Sequence, residues 1–171
     1  MDVPTPQQAP SLWRRMASFL YEGVVLFGVV FISGYLFSAL TQQRSALEGK
    51  GGLQAFEFVV LGIYFVWFWT HGGQTVAMKS WHLRIVDEAG APIGQWRALA
   101  RYLLAWLWFL PALVSVELAG LHSGGAIFGA LMTGVAAYVL LARLHPSRQF
   151  LHDVLCRTQV VTQRPALRKK P

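Results

Sequence analysis

From Ser18 to Leu40 the chain runs through 23 residues that are almost all apolar, and Glu22 sits inside the run. About 20 apolar residues suffice for a helix to cross a bilayer, so this stretch is long enough to span. A carboxylate inside such a helix is costly unless it is paired, hydrated or neutralised. The chain is therefore expected to be an integral membrane protein that keeps a polar feature within the bilayer.

Composition agrees. Of the 171 residues, 54% are hydrophobic and 13% charged, against roughly 25% charged in ordinary soluble domains. The length suits one bundle of a few helices. The net charge of +7 is not gathered into a groove-sized patch. Most basic residues flank apolar segments, which fits membrane topology and argues against nucleic acid as a partner. The lone Cys156 excludes an intramolecular disulfide. Val3 to Pro10, rich in Pro and Gln, does not resemble a cleavable signal peptide.

Four segments qualify as spans: Ala17–Leu40, Leu53–Thr70, Ala98–Ala119 and Gly124–Ala142. With the N-terminus inside, thirteen basic residues fall on the cytoplasmic side, among them Arg14, Arg15, Lys79, Arg84, Arg97, Arg101, Arg143 and Arg148. Only Arg44 and Lys50 fall outside, so both termini are expected in the cytoplasm. Thr41–Gly52 reads as a short polar connection, and His71–Arg97 as a longer loop with structure of its own. In that loop Gln74–Trp81 reads as a short helix and Leu83–Val86 as a strand, with a turn at Asp87–Gly90. The tail repeats the pattern, helix-like over His152–Cys156 and strand-like over Thr158–Thr162. Paired, the two strands would form a small cap; neither would be stable alone. The expected fold is an all-α membrane bundle of about four transmembrane helices with a small cytoplasmic β-hairpin-like element.

Several segments together resemble the RDD family of bacterial membrane proteins. The first is Leu12-Trp13-Arg14-Arg15, with Glu22 seven residues after Arg15. Next comes Gly73-Gln74-Thr75, leading to Leu83-Arg84-Ile85-Val86-Asp87, Arg97-Ala98-Leu99 and Arg101-Tyr102. The last is Leu151-His152-Asp153 followed by Thr158-Gln159-Val160-Val161. By this resemblance the family's one Arg and two Asp map to Arg14 or Arg15, to Glu22 and to Asp153. The chain departs from the pattern in three places. Glu22 stands for an Asp, Ala77-Met78-Lys79 lacks one basic residue, and His82 stands where Gly is common. The resemblance implies a multi-pass protein of the bacterial inner membrane, with some members linked to cation/proton exchange. It divides the chain into a disordered N-terminal segment (1–11), an RDD-like membrane domain (12–162) and a basic cytoplasmic tail (163–171).

Arg15 and Glu22, seven apart, share a helix face, with Glu22 about 10 Å further along the axis. Glu22 reads either as a carboxylate that binds or relays a cation or proton, tuned by Arg15 or Arg101, or as half of a structural ion pair. Glu57 and Glu117 fall near the outer ends of their helices, as an acidic mouth or merely in the wet interface. Asp153 is expected to cap the tail helix or to latch onto Arg84 or Lys79. His152 and Cys156, four apart, are too few ligands for a metal site. Pro111 is expected to kink the third helix, and Gly125 with Gly129 permits close helix approach. No phosphate loop, nucleophile elbow or zinc-protease motif is present, so neither enzyme chemistry nor a cofactor is expected. The expected partners are the lipid bilayer, a cation or proton and, if transport occurs, further copies of the chain. The competing reading is a non-transporting scaffold or assembly partner acting through loop and tail.

Overall fold

The computed structural model describes residues 9–41, 50–121 and 123–163. The expected N-terminal segment, the basic tail and the connection between the first two helices lie largely outside the described residues.

Helices α1 (Leu12–Thr41), α2 (Lys50–Thr70) and α6 (Gly124–Leu144) are each long and apolar enough to cross a membrane. Large apolar side chains such as Phe27, Phe31, Ile32, Ile63 and Phe128 point outward and exposed, an arrangement suited to a lipid surround. Hydroxyls on these surfaces are satisfied within their own helix. Thr41, Thr70, Ser115 and Thr133 donate to the carbonyls of Phe37, Val66, Pro111 and Gly129 at 2.7–2.8 Å, as lipid requires.

The third span is not one continuous helix. It consists of α4 (Gln95–Ala105), a 3-10 turn (Trp106–Trp108) and α5 (Leu110–Leu118), bent by 42°. The break falls before Pro111, which occupies the start of α5, where its missing N–H is harmless. The kink expected at Pro111 is present, as a break just ahead of it with the proline in the first turn of α5.

Between and after the spans come two copies of one small unit: α3 (Val76–Ser80) with β1 (Leu83–Asp87), and α7 (Leu151–Leu155) with β2 (Thr158–Thr162). They correspond at one constant spacing. Gly73 and Arg148 precede the short helices with φ near +70° and +52°; His82 and Arg157 precede the strands at +53° and +52°. Gln74 and Gln149 occupy matching places, and each donates to a carbonyl in or beside the sheet, Leu83 O and Val160 O. The strands pair antiparallel with Ile85 opposite Val160 at the centre, a local pseudo-two-fold. His82 thus adopts a left-handed backbone, a conformation that glycine takes at least cost.

This pairing decides the topology. β1 and β2 must lie on one side of the membrane, α6 lies between them and crosses, and so the broken α4–α5 segment must cross as well. Arg14, at the start of α1, donates to Thr162 Oγ1 at 3.2 Å and to Trp81 O. Both described ends of the domain therefore lie beside the cap, and the described residues hold three candidate spans, or four with the bent α4–α5 pair taken as one.

The cap's core is Ile85, Leu83, Val160 and Met78, packed on Trp69 and Tyr102. A second cluster joins Trp108, Tyr138 and Phe150, with Phe19 of α1 stacked on Trp108 at 4.9 Å between ring centres. Close helix approach occurs at Gly134, where a Cβ would sit 3.0 Å from Ala112 Cβ. Gly125 and Gly129, expected to serve that purpose, face open space. At Gly73 the left-handed backbone coincides with crowding, because a Cβ would come within 2.6 Å of Ile85 O, and Gly73 O accepts from Ile85 N at 2.7 Å. Gly73→Ala should therefore destabilise the folded protein by about 2 kcal/mol or more, read as a lowered unfolding midpoint in detergent.

Candidate functional site

Three carboxyl- and guanidinium-bearing chains converge beneath the cap. α7 is a single turn, and its second and third residues, His152 and Asp153, both point into the protein, 4% and 0% exposed. Arg101 Nε donates to Asp153 Oδ1 at 2.9 Å, and its Nη2 lies 2.6 Å from the same oxygen. Arg15 Nη2 lies 3.7 Å from Asp153 Oδ2, while Arg15 Nη1 donates to Arg148 O at 2.5 Å. Thr158 Oγ1 also reaches Asp153 Oδ1, at 3.3 Å. One carboxylate thus gathers α1, α4 and β2.

Aromatic faces complete the cluster. Arg15 lies 3.8 Å above the Phe150 ring and Arg101 4.4 Å from that of Trp69, so both cations gain ring attraction without solvent. His152 stands against Tyr138 of α6. The phenol oxygen accepts the backbone N–H of His152 at 3.0 Å and lies 3.0 Å from Nδ1. The phenol thus contacts both the backbone and the ring of His152 and fixes the ring's position. Burial holds the imidazole well below its usual range, at about 3. Burial also works against the Asp153 carboxylate, but the charge of Arg101, with Arg15 and the Arg101 hydrogen bond, outweighs it and keeps Asp153 below its usual value.

The structure corrects two expectations. Asp153 neither latches onto Arg84 nor onto Lys79; its partners are Arg101 and Arg15. Among the described residues Glu22 has no ion-pair partner, because both guanidiniums that might have reached it are turned to Asp153. Glu22, 8% exposed, instead accepts from Tyr64 OH at 2.7 Å and from Thr75 Oγ1. Thr75 is the N-cap of α3, its hydroxyl also accepting from Met78 N. Packing of α3 against α1 carries Thr75 to the level of Glu22. Arg14 and Arg15, adjacent in sequence, do different work: Arg14 clamps the backbone of Trp81 and His82, whereas Arg15 turns inward. Glu57 accepts from Ser33 at 2.8 and 2.9 Å, tying α2 to α1, while Glu117 is exposed on α5.

Glu22 forms part of the wall of a cavity of about 410 Å³ between α1, α2, α4 and the cap. Phe19, Leu61, Phe65 and Trp106 make the apolar part, and Arg15, Arg101, Thr75 and His152 border it toward the cap. Sequence reasoning missed Tyr64, Thr75 and Tyr138 as partners. Thr75 was visible within Gly73-Gln74-Thr75, but nothing local signalled that its hydroxyl would meet a carboxylate 53 residues away.

Four spans, a symmetric cap and a buried Arg–Asp–Arg junction define a small multi-pass membrane protein of a distinct architecture. A sequence model of the RDD family matches residues 9–157. The chain belongs to the RDD family. No curated protein and no solved structure matches it.

Two measurements test the junction. Asp153→Asn strands two buried guanidiniums and should destabilise by about 3–5 kcal/mol, read as loss of monodisperse protein in size-exclusion chromatography or a lowered unfolding midpoint. Acid should also weaken the fold. His152 takes up its proton far more readily unfolded than folded, so its contribution is complete above about pH 6.5 and drains away as pH falls toward 3. Asp153, depressed when folded, adds a loss in the same direction below its unfolded value. Each group contributes at most about 1.4 kcal/mol per pH unit. The unfolding midpoint should fall steadily below pH 6.5, and His152→Gln should flatten that slope.

Proposed function

We propose that this protein carries protons, coupled to a monovalent cation, across the inner membrane of a bacterium, with the cap in the cytoplasm. The orientation rests on the thirteen-to-two distribution of basic residues. The observation that carries the reading is the Glu22 carboxylate, held by two hydroxyls and no cation among the described residues, on the wall of a cavity within the bundle. Such a group can gain or lose a proton without breaking an ion pair. Tyr64 and Thr75 can each turn from donor to acceptor as it does so. An intramembrane carboxylate facing a cavity is a recurrent element of ion and proton pathways. The broken third span borders the same cavity through Ala105, Trp106 and Phe109, and discontinuous helices are common where transporters bind ions.

The Arg15–Asp153–Arg101 junction has a different part in this reading. Its carboxylate is held by two guanidiniums, and it fixes the cap against α1 and α4.

Cation-driven proton movement in proteoliposomes tests the proposal. Glu22→Gln keeps the side chain's size; its amide oxygen still accepts from one of the two hydroxyls while its NH2 donates to the other, so it should insert normally and reduce flux at least tenfold, on the scale of losing a positioned proton carrier. Full flux in that variant, or none from well-folded wild type across the common monovalent cations, would turn the assignment toward an assembly or scaffold role.

A further inference from the structure

A second recess lies at the cap-side membrane surface, between the start of α1 and the end of α6, apart from the cavity beside Glu22. Among the described residues it is lined chiefly by Pro10, Ser11, Arg15, Ala142, Arg143 and Arg148, and encloses about 350 Å³. Three of these six are arginines and none is acidic. Arg15 is the informative one. Its side chain is 3% exposed; Nη2 faces Asp153 Oδ2 at 3.7 Å without a hydrogen bond, and among the described residues Nε has no hydrogen-bond partner. With two guanidiniums sharing one carboxylate, this incompletely bonded cation beside a recess favours an anion. Arg143 and Arg148 are exposed at the rim.

Depth selects the kind of anion. Arg15 lies in the first turn of α1 and Arg143 in the last turn of α6, so both stand where a span leaves the hydrocarbon and meets the headgroups. Basic pockets between transmembrane helices at this level take phosphate-bearing lipid headgroups. The lipid chains would lie along the exposed apolar flank of α6, where Leu140, Leu141 and Leu144 face outward.

We propose that the recess formed by Arg15, Arg143 and Arg148 binds the headgroup phosphate of an anionic phospholipid. The lipid then bridges the first and last spans, completing the hydrogen bonding of a guanidinium that the protein leaves unfinished. Arg148 occupies its rim position through a left-handed backbone, at φ +52°. Its carbonyl already accepts from Arg15, so one residue shapes both the floor and the edge of the recess.

The test uses the full-length protein purified in detergent and titrated with phosphatidylglycerol or phosphatidylcholine, with bound lipid read by native mass spectrometry. Wild type should retain phosphatidylglycerol preferentially. Arg143→Gln combined with Arg148→Asn, Asn being tolerant of the left-handed region, should weaken that retention on the order of tenfold or more. Lys79→Gln with Arg97→Gln removes the same charge elsewhere on the cap side and should leave it intact. If the double variant proves unstable in lipid-free detergent, Arg143→Gln alone leaves the Arg148 backbone untouched and should still weaken retention severalfold. Equal loss in the Lys79/Arg97 pair, or no preference in wild type, would overturn the proposal. Thermal protection by inorganic phosphate alone, with nothing added by phosphatidylglycerol, would overturn the lipid as the source of the phosphate.

Discussion

Burying the Asp153 carboxylate at zero exposure is the constraint around which the protein is arranged. A lone buried carboxylate is strongly unfavourable, and a buried pair persists only when its geometry is good and its remaining bonding capacity is used. Arg101 and the Thr158 hydroxyl bond one carboxylate oxygen, from α4 and β2, and Arg15 adds a second cation from α1 near Oδ2, which has no hydrogen bond among the described residues. These elements are far apart along the chain, so the charge cannot be satisfied until both helical hairpins and the cap have come together. Ion pairs of this sort often add little net stability, but they penalise every arrangement that leaves one partner alone. Here that penalty specifies how a cap of two five-residue strands sits on a bundle whose outer surface is matched to lipid.

The cap makes this economical. Each half of the chain ends its second span with a left-handed residue, a glutamine, one helical turn, another left-handed residue and a strand. The halves differ in what the single turn carries inward. In the first, Thr75 and Met78 face the interior; in the second, Phe150, His152 and Asp153 do. The pseudo-symmetric scaffold therefore holds an asymmetric interior, with the hydroxyl-bound carboxylate of Glu22 on one side and the Arg–Asp–Arg cluster on the other. Two carboxylates in one small domain are kept in opposite states of compensation, one charge-paired and structural, one unpaired and beside a cavity. That separation is what supports assigning ion movement to Glu22 and rigidity to Asp153.

Much of this was legible in advance. The four spans, the two short strands and their pairing follow from local hydrophobic length and alternation, and the structure places each within a few residues of its expected limits. Arg14, Arg15, Glu22, Arg101 and Asp153 stand out as charges in or beside apolar segments. What they touch was harder to foresee. The heptad relation of Arg15 and Glu22 is real as a helix face, yet side chains on one face need not meet when a stronger partner lies elsewhere. Asp153 draws Arg15 away, and Glu22 turns to Tyr64 and Thr75.

The sequence by itself determined that this chain carries membrane-length apolar helices, about how many, and where its rare charges lie. Those properties depend on apolar length, strand alternation and the placement of basic residues, all read over a few neighbouring positions. Tertiary structure alone decided the close helix contact at Gly134 and the partners of both buried carboxylates. Glu22 meets Tyr64 across 42 residues, and Asp153 meets Arg101 across 52. Such contacts are settled by competition among all the donors the fold brings within reach, and no local pattern records its outcome.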